Sequence, residues 1–277
     1  MRRRSLVAAP AAVAAAAALA GCGASGGIAP PQIASAVVVP PRGAVVDARE
    51  WGSRDVALAR KGGVATVDVV DPQGHGVDGL TVRIGGHTAA SCGPGCYRAP
   101  DPEGPVVVRI GAHAWRFTVS ADAPSGAALL AASARAYAGL KTVRLEQRLA
   151  SGPANAIVTR FEFEAPDRLR YENAGGSQAI VISSTRWDRP TGHDPWTRSA
   201  QQRVRVMHVP WSRPIDVRLV APHTVTFFDL STRAWFRVVL HPVSKLPTSV
   251  GMTGISHFMA SRYSGFDEPV RIAPPRG

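Results

Sequence analysis

Apolar and polar residues alternate with period two over much of this chain. Ala65, Val67 and Val69 alternate with Thr66 and Asp68, and Leu80, Val82 and Ile84 with Thr81 and Arg83. Trp115, Phe117 and Val119 alternate with Arg116 and Thr118, and residues 106–110 form a short apolar run. Successive side chains leave a strand on opposite faces, so this pattern marks half-buried strands. Asp71-Pro72-Gln73-Gly74 and Gly85-Gly86 supply turn chemistry between them. Residues 44–121 are therefore expected to form a small Ig-like β-sandwich.

Residues 121–126 hold Asp, Pro, Ser and Gly and read as a boundary. Beyond it the period changes. Leu130, Ala134 and Tyr137 lie on one face of an Ala-rich stretch, predicting one helix over about 128–140, capped by Ser125 and ended at Gly139. After the helix, period two returns. Val143, Leu145 and Leu149 alternate with Arg144, Glu146 and Arg148, and Phe161 and Phe163 with Arg160, Glu162 and Glu164. Leu169 and Tyr171 alternate with Arg168, Arg170 and Glu172, and Phe236, Val238 and Leu240 with Trp235 and Arg237. This predicts one large antiparallel sheet over 122–277 with one wet and one dry face. One short helix cannot cover so wide a dry face, which leaves a cavity, a groove or a partner surface. The fold class expected is mainly β.

Composition narrows the function. The chain has 277 residues, 45% of them hydrophobic, enough for a real core. Its net charge is +12, but only Lys61, Lys141 and Lys245 among its 32 basic residues are lysine. Arginine scattered without a basic tract is weak evidence for nucleic acid, and no nucleic-acid partner is expected.

The amino terminus carries the most specific signal. Arg2, Arg3 and Arg4 precede an apolar stretch from Leu6 to Ala20, which is too short to span a bilayer and ends Leu19-Ala20-Gly21-Cys22. Residues 1–21 read as a signal peptide. The ending resembles the lipobox of bacterial lipoproteins, which implies cleavage before Cys22 and lipidation of its sulfur. Residues 22–43, rich in Gly, Ala, Pro and Ser, read as a tether. The expected location is extracytoplasmic, on the bacterial cell membrane, held there by lipidated Cys22. With Cys22 used, Cys92 and Cys96 remain. In an oxidising compartment they read as one disulfide across Gly93-Pro94-Gly95.

In the second half the order of residues resembles a family. Tyr137, Leu145-Glu146-Gln147, Ala165-Pro166-Asp167-Arg168-Leu169, Ile180 to Ser184, Trp187, Gly192 and Trp196 come first. They are followed by Met252, His257-Phe258-Met259, Tyr263, Phe266-Asp267 and Val270-Arg271-Ile272 before Pro274-Pro275. This looks like the LolA-like and LppX/LprG-like lipoprotein domain. The resemblance implies an open half-barrel with a helical lid, an acyl-chain ligand, lipid transport or sensing in the envelope, and no catalysis. Leu145, Phe161, Phe163, Leu169, Tyr171, Ile180 and Phe258 are then the expected cavity lining; the other reading makes them ordinary core under the helix. An acyl chain rewards such a cavity with about 0.8 kcal/mol per buried methylene. The expected partners are a lipid ligand, the membrane through the anchor, and an envelope membrane protein.

Two alternatives stay open. The first module is loosely similar to small β-sandwich domains of actinobacterial copper-resistance membrane proteins, through Gly76 to Leu80 and Cys92-Gly-Pro-Gly-Cys96-Tyr97. That implies a copper-handling accessory, with Cys92 and Cys96 as thiolates and His75, His87 or His113 nearby. Met207-His208, Met252, His257 and Met259 read as core filler rather than ligands. The second alternative is a structural interaction module. No metal site or cofactor is expected. Catalytic motifs are lacking, and His193-Asp194 reads as a hairpin tip. Trp187 and Trp196, beside Arg186, Arg189 and Arg198, mark either a cavity mouth, a membrane-facing rim or a solvated face.

Overall fold

The structure is a computed structural model; it describes residues 39–255 and 257–276. The expected signal peptide, Cys22 and most of the expected tether lie outside the described residues. No described helix is long and apolar enough to cross a membrane.

The first strands are β1 (Val45–Trp51), β2 (Arg54–Lys61), β3 (Val64–Val70), β4 (Val82–Ile84), β5 (His87–Thr88), β6 (Ala90–Gly93), β7 (Cys96–Pro100), β8 (Val106–Ile110) and β9 (His113–Phe117). They form a five-stranded sheet, ordered β1-β2-β3-β7-β6, and a four-stranded sheet, ordered β5-β4-β8-β9. Val56, Leu58, Val67 and Val69 of the first sheet share one core with Ile84, Val108 and Phe117 of the second. The expected alternation holds, although Leu80 falls outside its strand and β9 ends at Phe117. Arg60 is buried at the rim of this core. Its Nε donates to both oxygens of Asp101, at 2.8 and 3.1 Å. Its terminal nitrogens donate to the carbonyls of Pro102, Gly104 and Val119, so all three guanidinium nitrogens are engaged.

The helix α1 (Ala127–Ala138) follows, with Gly126 at its N-cap and Gly139 at its C-cap. Ser125 stands one residue before the N-cap; its Oγ accepts from Ala127 N at 3.4 Å. Then come β10 (Thr142–Ala150), β11 (Ala156–Glu164), β12 (Arg168–Asn173), β13 (Gln178–Ile182), β14 (Thr185–Arg189) and β15 (Thr197–Ala200). The chain finishes with β16 (Pro214–Ala221), β17 (Thr224–Asp229), β18 (Ala234–Leu240), β19 (Pro247–Gly254) and β20 (His257–Ser264). These eleven strands form one open antiparallel sheet, ordered β15-β14-β13-β12-β11-β10-β20-β19-β18-β17-β16.

The two faces of this sheet are covered differently. On the helix face, Leu130 of α1 packs with Phe227, Phe236 and Val238, and Tyr137 with Leu145, Phe163 and Leu169. On the outer face, Phe228 and Trp235 pack against Val46, Ala48, Ala57 and Ala59 of the five-stranded sheet. Arg237 donates to Asp47 at 3.0 Å across this junction. Two buried carboxylates, Asp55 and Asp68, lie on the same face of the five-stranded sheet. Asp55 is opposite Val70 and Asp68 opposite Ala57, so the two are diagonal neighbours on β2 and β3. Neither oxygen of Asp55 and only one oxygen of Asp68 has a chance of pairing, since the other three have no hydrogen-bond partner. Burial pushes both carboxyls up to about 7.

Candidate functional site

The helix face is built by register. Leu145 lies opposite Phe161, Phe161 opposite Tyr171, and Phe163 opposite Leu169. Directly opposed residues share a face, so these five side chains form one apolar floor across β10, β11 and β12. Phe161 and Phe163 stack with centroids 5.7 Å apart, and Phe161 meets Tyr171 at 5.5 Å. At the end of this row the guanidinium of Arg186 lies over Tyr171 and donates to its hydroxyl at 2.6 Å. Asp188 holds Arg186 in place at 2.6 Å and keeps its charge firmly on. Tyr137 of α1 meets Tyr263 edge-on at 5.8 Å over the same floor, and burial pushes both hydroxyls well above the ordinary tyrosine range.

Two of the seven expected lining residues are on the other side. Ile180 is opposite Arg170, whose other neighbour is Glu162, so it belongs to the charged outer row. Phe258 is opposite Ala150 and Thr253, and Thr253 is opposite Trp235 of the outer junction. Both are buried, but away from the floor. Period two explains the error: a one-residue misjudgement of phase moves a side chain to the opposite face. Val181 and Met259 hold the corresponding helix-face positions, opposite Leu169 and Leu149.

The larger correction concerns the cover. The segment from residue 201 to 213, between β15 and β16, crosses the helix face without regular secondary structure. Val204, Val206, Met207 and Val209 pack against the Phe163–Leu169 cluster, and Trp211 is buried against Phe227 and Phe236 at 5.6 and 6.1 Å. Gln202, Arg203, Arg205 and His208 face solvent. This strap is tied along its first half by Gln201, Val204 and Val206, which donate to the Ser184, Ser183 and Pro166 carbonyls. At its end the buried Asp229 accepts from the backbone of Ser212 and Arg213 and from Ser231 and Thr232. Despite burial, those donors hold the Asp229 carboxyl below its usual range. The dry face that one helix cannot cover is thus closed largely by the protein's own strap. The alternation of Val204 and Val206 with Arg203 and Arg205 was the available signal for it.

Two hollows among the described residues lie away from this floor. One of about 110 Å³ is at the outer junction, between Asp47, Ala48 and Arg49 and Trp235, Arg237 and Gly251. Another of about 260 Å³ is open beside Thr185, Arg198, Ser199 and Ala200 on the edge strand. Neither touches the aromatic floor, and both fall below the roughly 300 Å³ at which ligand pockets begin. Yet Leu149, Ile157, Phe161, Tyr171, Met252 and Met259, all on the helix face, are only half-buried.

The candidate metal residues do not converge. Cys92 and Cys96 are joined as a disulfide, as expected, with Cα atoms 5.1 Å apart. A disulfide offers no thiolate, which removes the ligands that the copper alternative needs. His75 lies 3.5 Å from Asp71, His113 stacks on Trp115, and His87 is exposed on β5. No group of three His, Cys, Asp or Glu that could hold a metal occurs among the described residues. Met207 is buried in the strap, and Met252 and Met259 are cross-strand neighbours, while His257 is exposed. His193 and Asp194 form a hairpin tip in which Asp194 accepts from Thr191. Arg189 lies over Trp196 at 4.6 Å, and Trp187 is on the outer face opposite Ile180.

No family model and no curated protein matches the chain. Among solved structures, it is similar to LprF from Mycobacterium bovis at 12% identity, over 56% of this chain and 100% of that one, with a TM-score of 0.37. It is also similar to a LolA superfamily protein from Nitrosomonas europaea at 11% identity, over 55% of this chain and 96% of that one, with a TM-score of 0.32.

Proposed function

We propose that this chain is an envelope lipoprotein, anchored through Cys22, that holds a hydrophobic ligand on the helix face of the large sheet without chemically changing it. The lipobox supports the anchor, and the residue order that resembles LolA-like and LppX/LprG-like domains points to an acyl chain. In this reading residues 44–121 and 122–277 are two modules, of which the second binds. Leu145, Phe161, Phe163, Leu169 and Tyr171 form the binding floor, and an envelope membrane protein gives or receives the ligand. One observation carries the reading: a wide aromatic and aliphatic floor is closed by an irregular strap rather than by a sheet or a second helix. Strands and helices bind their own backbone groups in continuous ladders, whereas this strap is tied only at separate points, by Gln201, Val204 and Val206 and at Asp229, so it can lift at lower cost than a strand. Lifting Val204, Val206 and Val209 would open the floor to an acyl chain, which would replace their contacts with its own.

The test uses the chain from Gly23 onward, which keeps every described residue and cannot be lipidated. Native mass spectrometry should find co-purified lipid, and a fluorescent fatty acid should bind and be displaced by unlabelled fatty acid. Phe161→Glu, on the floor, should abolish probe binding. Val158→Glu, at an exposed outer-face position of the same strand, should leave it intact. If Phe161→Glu fails to fold, Ile157→Ser at the half-buried end of the floor takes its place. Protein that is empty from two expression hosts and blind to the probe overturns the reading. So does equal loss of binding in the floor and outer-face variants.

A further inference from the structure

The solvent face of the four-stranded sheet carries an arginine cluster. Arg83 on β4 lies directly opposite Arg109 on β8. On β9, Arg116 is opposite Val107, two residues from Arg109, so Arg109 and Arg116 are diagonal neighbours. All three are exposed, while Val82, Ile84, Val108, Ile110 and Phe117 point the other way into the core. Strands β4, β5, β8 and β9 contain no acidic residue. The only side-chain hydrogen bond any of the three makes among the described residues is from Arg83 to the Gly86 carbonyl, at 2.8 Å. Like charges directly opposite one another on a sheet are destabilising. The large sheet avoids this arrangement: across β10, β11 and β12 its outer rows run Arg144, Glu162, Arg170 and Glu146, Arg160, Glu172.

We propose that this arginine face docks on the surface of an anionic phospholipid bilayer. A flat, exposed sheet face with three cations in neighbouring positions matches a plane of phosphate groups, and it leaves the guanidiniums free to donate to phosphate oxygens in pairs. A basic surface of this kind gains about 1 kcal/mol per arginine at the membrane, or about fivefold each. The face lies on the module nearest Cys22 in sequence. Docking does not depend on the ligand reading, because none of the three arginines lies on the large sheet or its strap.

The chain from Gly23 onward is mixed with vesicles of phosphatidylglycerol and phosphatidylcholine in equal parts, or of phosphatidylcholine alone, and sedimented. Omitting Cys22 separates this surface from the anchor. Binding is expected to the anionic vesicles only, and to weaken as salt is raised. The combined change Arg83→Gln, Arg109→Gln and Arg116→Gln should lower it about a hundredfold, whereas lysine at all three positions should keep most of it. A charge-matched change in the strap, Arg203→Gln, Arg205→Gln and Arg213→Gln, should cost less than about threefold. Thermal melts confirm that each variant is folded; if the glutamine triple is not, Arg109→Gln alone, expected to lose about fivefold, decides. The proposal is overturned if the strap change costs as much as the sheet change, if neutral vesicles bind equally, or if the lysine variant loses binding. It is also overturned if inorganic phosphate, matched to the lipid phosphate, displaces the vesicles, since the face would then take a soluble anion.

Discussion

The solvent faces of the two sheets use the same residue for opposite ends. On the large sheet, arginine and glutamate alternate across strands: Arg144 lies 3.5 Å from Glu162, Arg160 is 3.3 Å from Glu146, and Arg170 pairs with Glu162. On the four-stranded sheet, arginine faces arginine at Arg83 and Arg109. The first arrangement satisfies its charges internally and asks nothing of a partner. The second carries a like-charge repulsion that an anionic surface would relieve. Composition and net charge treat the two faces alike, so it is cross-strand register that decides whether an arginine closes a surface or prepares it for binding.

The comparison can be tested at each of its extremes. Arg60 is buried with all three guanidinium nitrogens engaged, and Arg60→Ala leaves buried Asp101 without its cation. A loss of about 3–5 kcal/mol is expected in denaturant unfolding, and a loss below about 1 kcal/mol would show that the buried Arg60–Asp101 pair adds little to stability. The strap offers the next test. Removing the Trp211 ring, which packs edge-on against the stacked Phe227 and Phe236, by Trp211→Ala should cost about 3 kcal/mol. Hydrogen exchange should then quicken first at residues 204–210, before the β1–β2 amides; the reverse order would show that the strap is not the looser cover.

The acids provide a mirror image. Glu162 has two arginine partners, while Asp55 and Asp68 have buried oxygens without partners. Their raised carboxyls stay protonated in the folded protein up to about 7, but ionise near 4 once the chain unfolds. Their contribution to stability is therefore fully present below about pH 4, falls as pH rises, and is lost by about pH 7. The Asp55→Asn, Asp68→Asn double variant should melt higher than the parent at pH 8, and the gap should close toward pH 5. A gap that does not change with pH would place the partnerless carboxylates outside the titration that is argued for them.

The smallest effects come from the faces themselves. Glu162→Gln breaks two exposed pairs and should cost about 0.5–1 kcal/mol at low salt. Arg109→Glu turns a repulsive pair into an attractive one and should stabilise by about 0.5 kcal/mol while weakening vesicle binding. Opposite signs for these two charge changes are what the comparison requires; the same sign would break it.

Much of this molecule is visible as period two. The alternation at Ala65–Val69, Leu145 and Phe161–Phe163, the single helix ending at Gly139, and the Cys92–Cys96 bridge all follow from local chemistry: pleat, backbone freedom and thiol spacing. Phase was harder to read in short strands. Ile180 lies between Ala179 and Val181, and Phe258 stands beside Met259, so hydrophobicity alone did not say which one faces the helix. The strap was legible only in hindsight, because Val204, Val206 and Met207 look like one more strand until their partners are known.

What the chain order determined by itself is the class of each element and the side of each clear strand that avoids water, because both depend on neighbours a few residues away. Which strand lies beside which was decided only in three dimensions. That pairing set Arg83 against Arg109, buried Asp55 and Asp68 at a junction, and drew residues 201–213 over the aromatic floor. Each of these joins groups distant in sequence, and their energies exist only once the sheets have closed on one another.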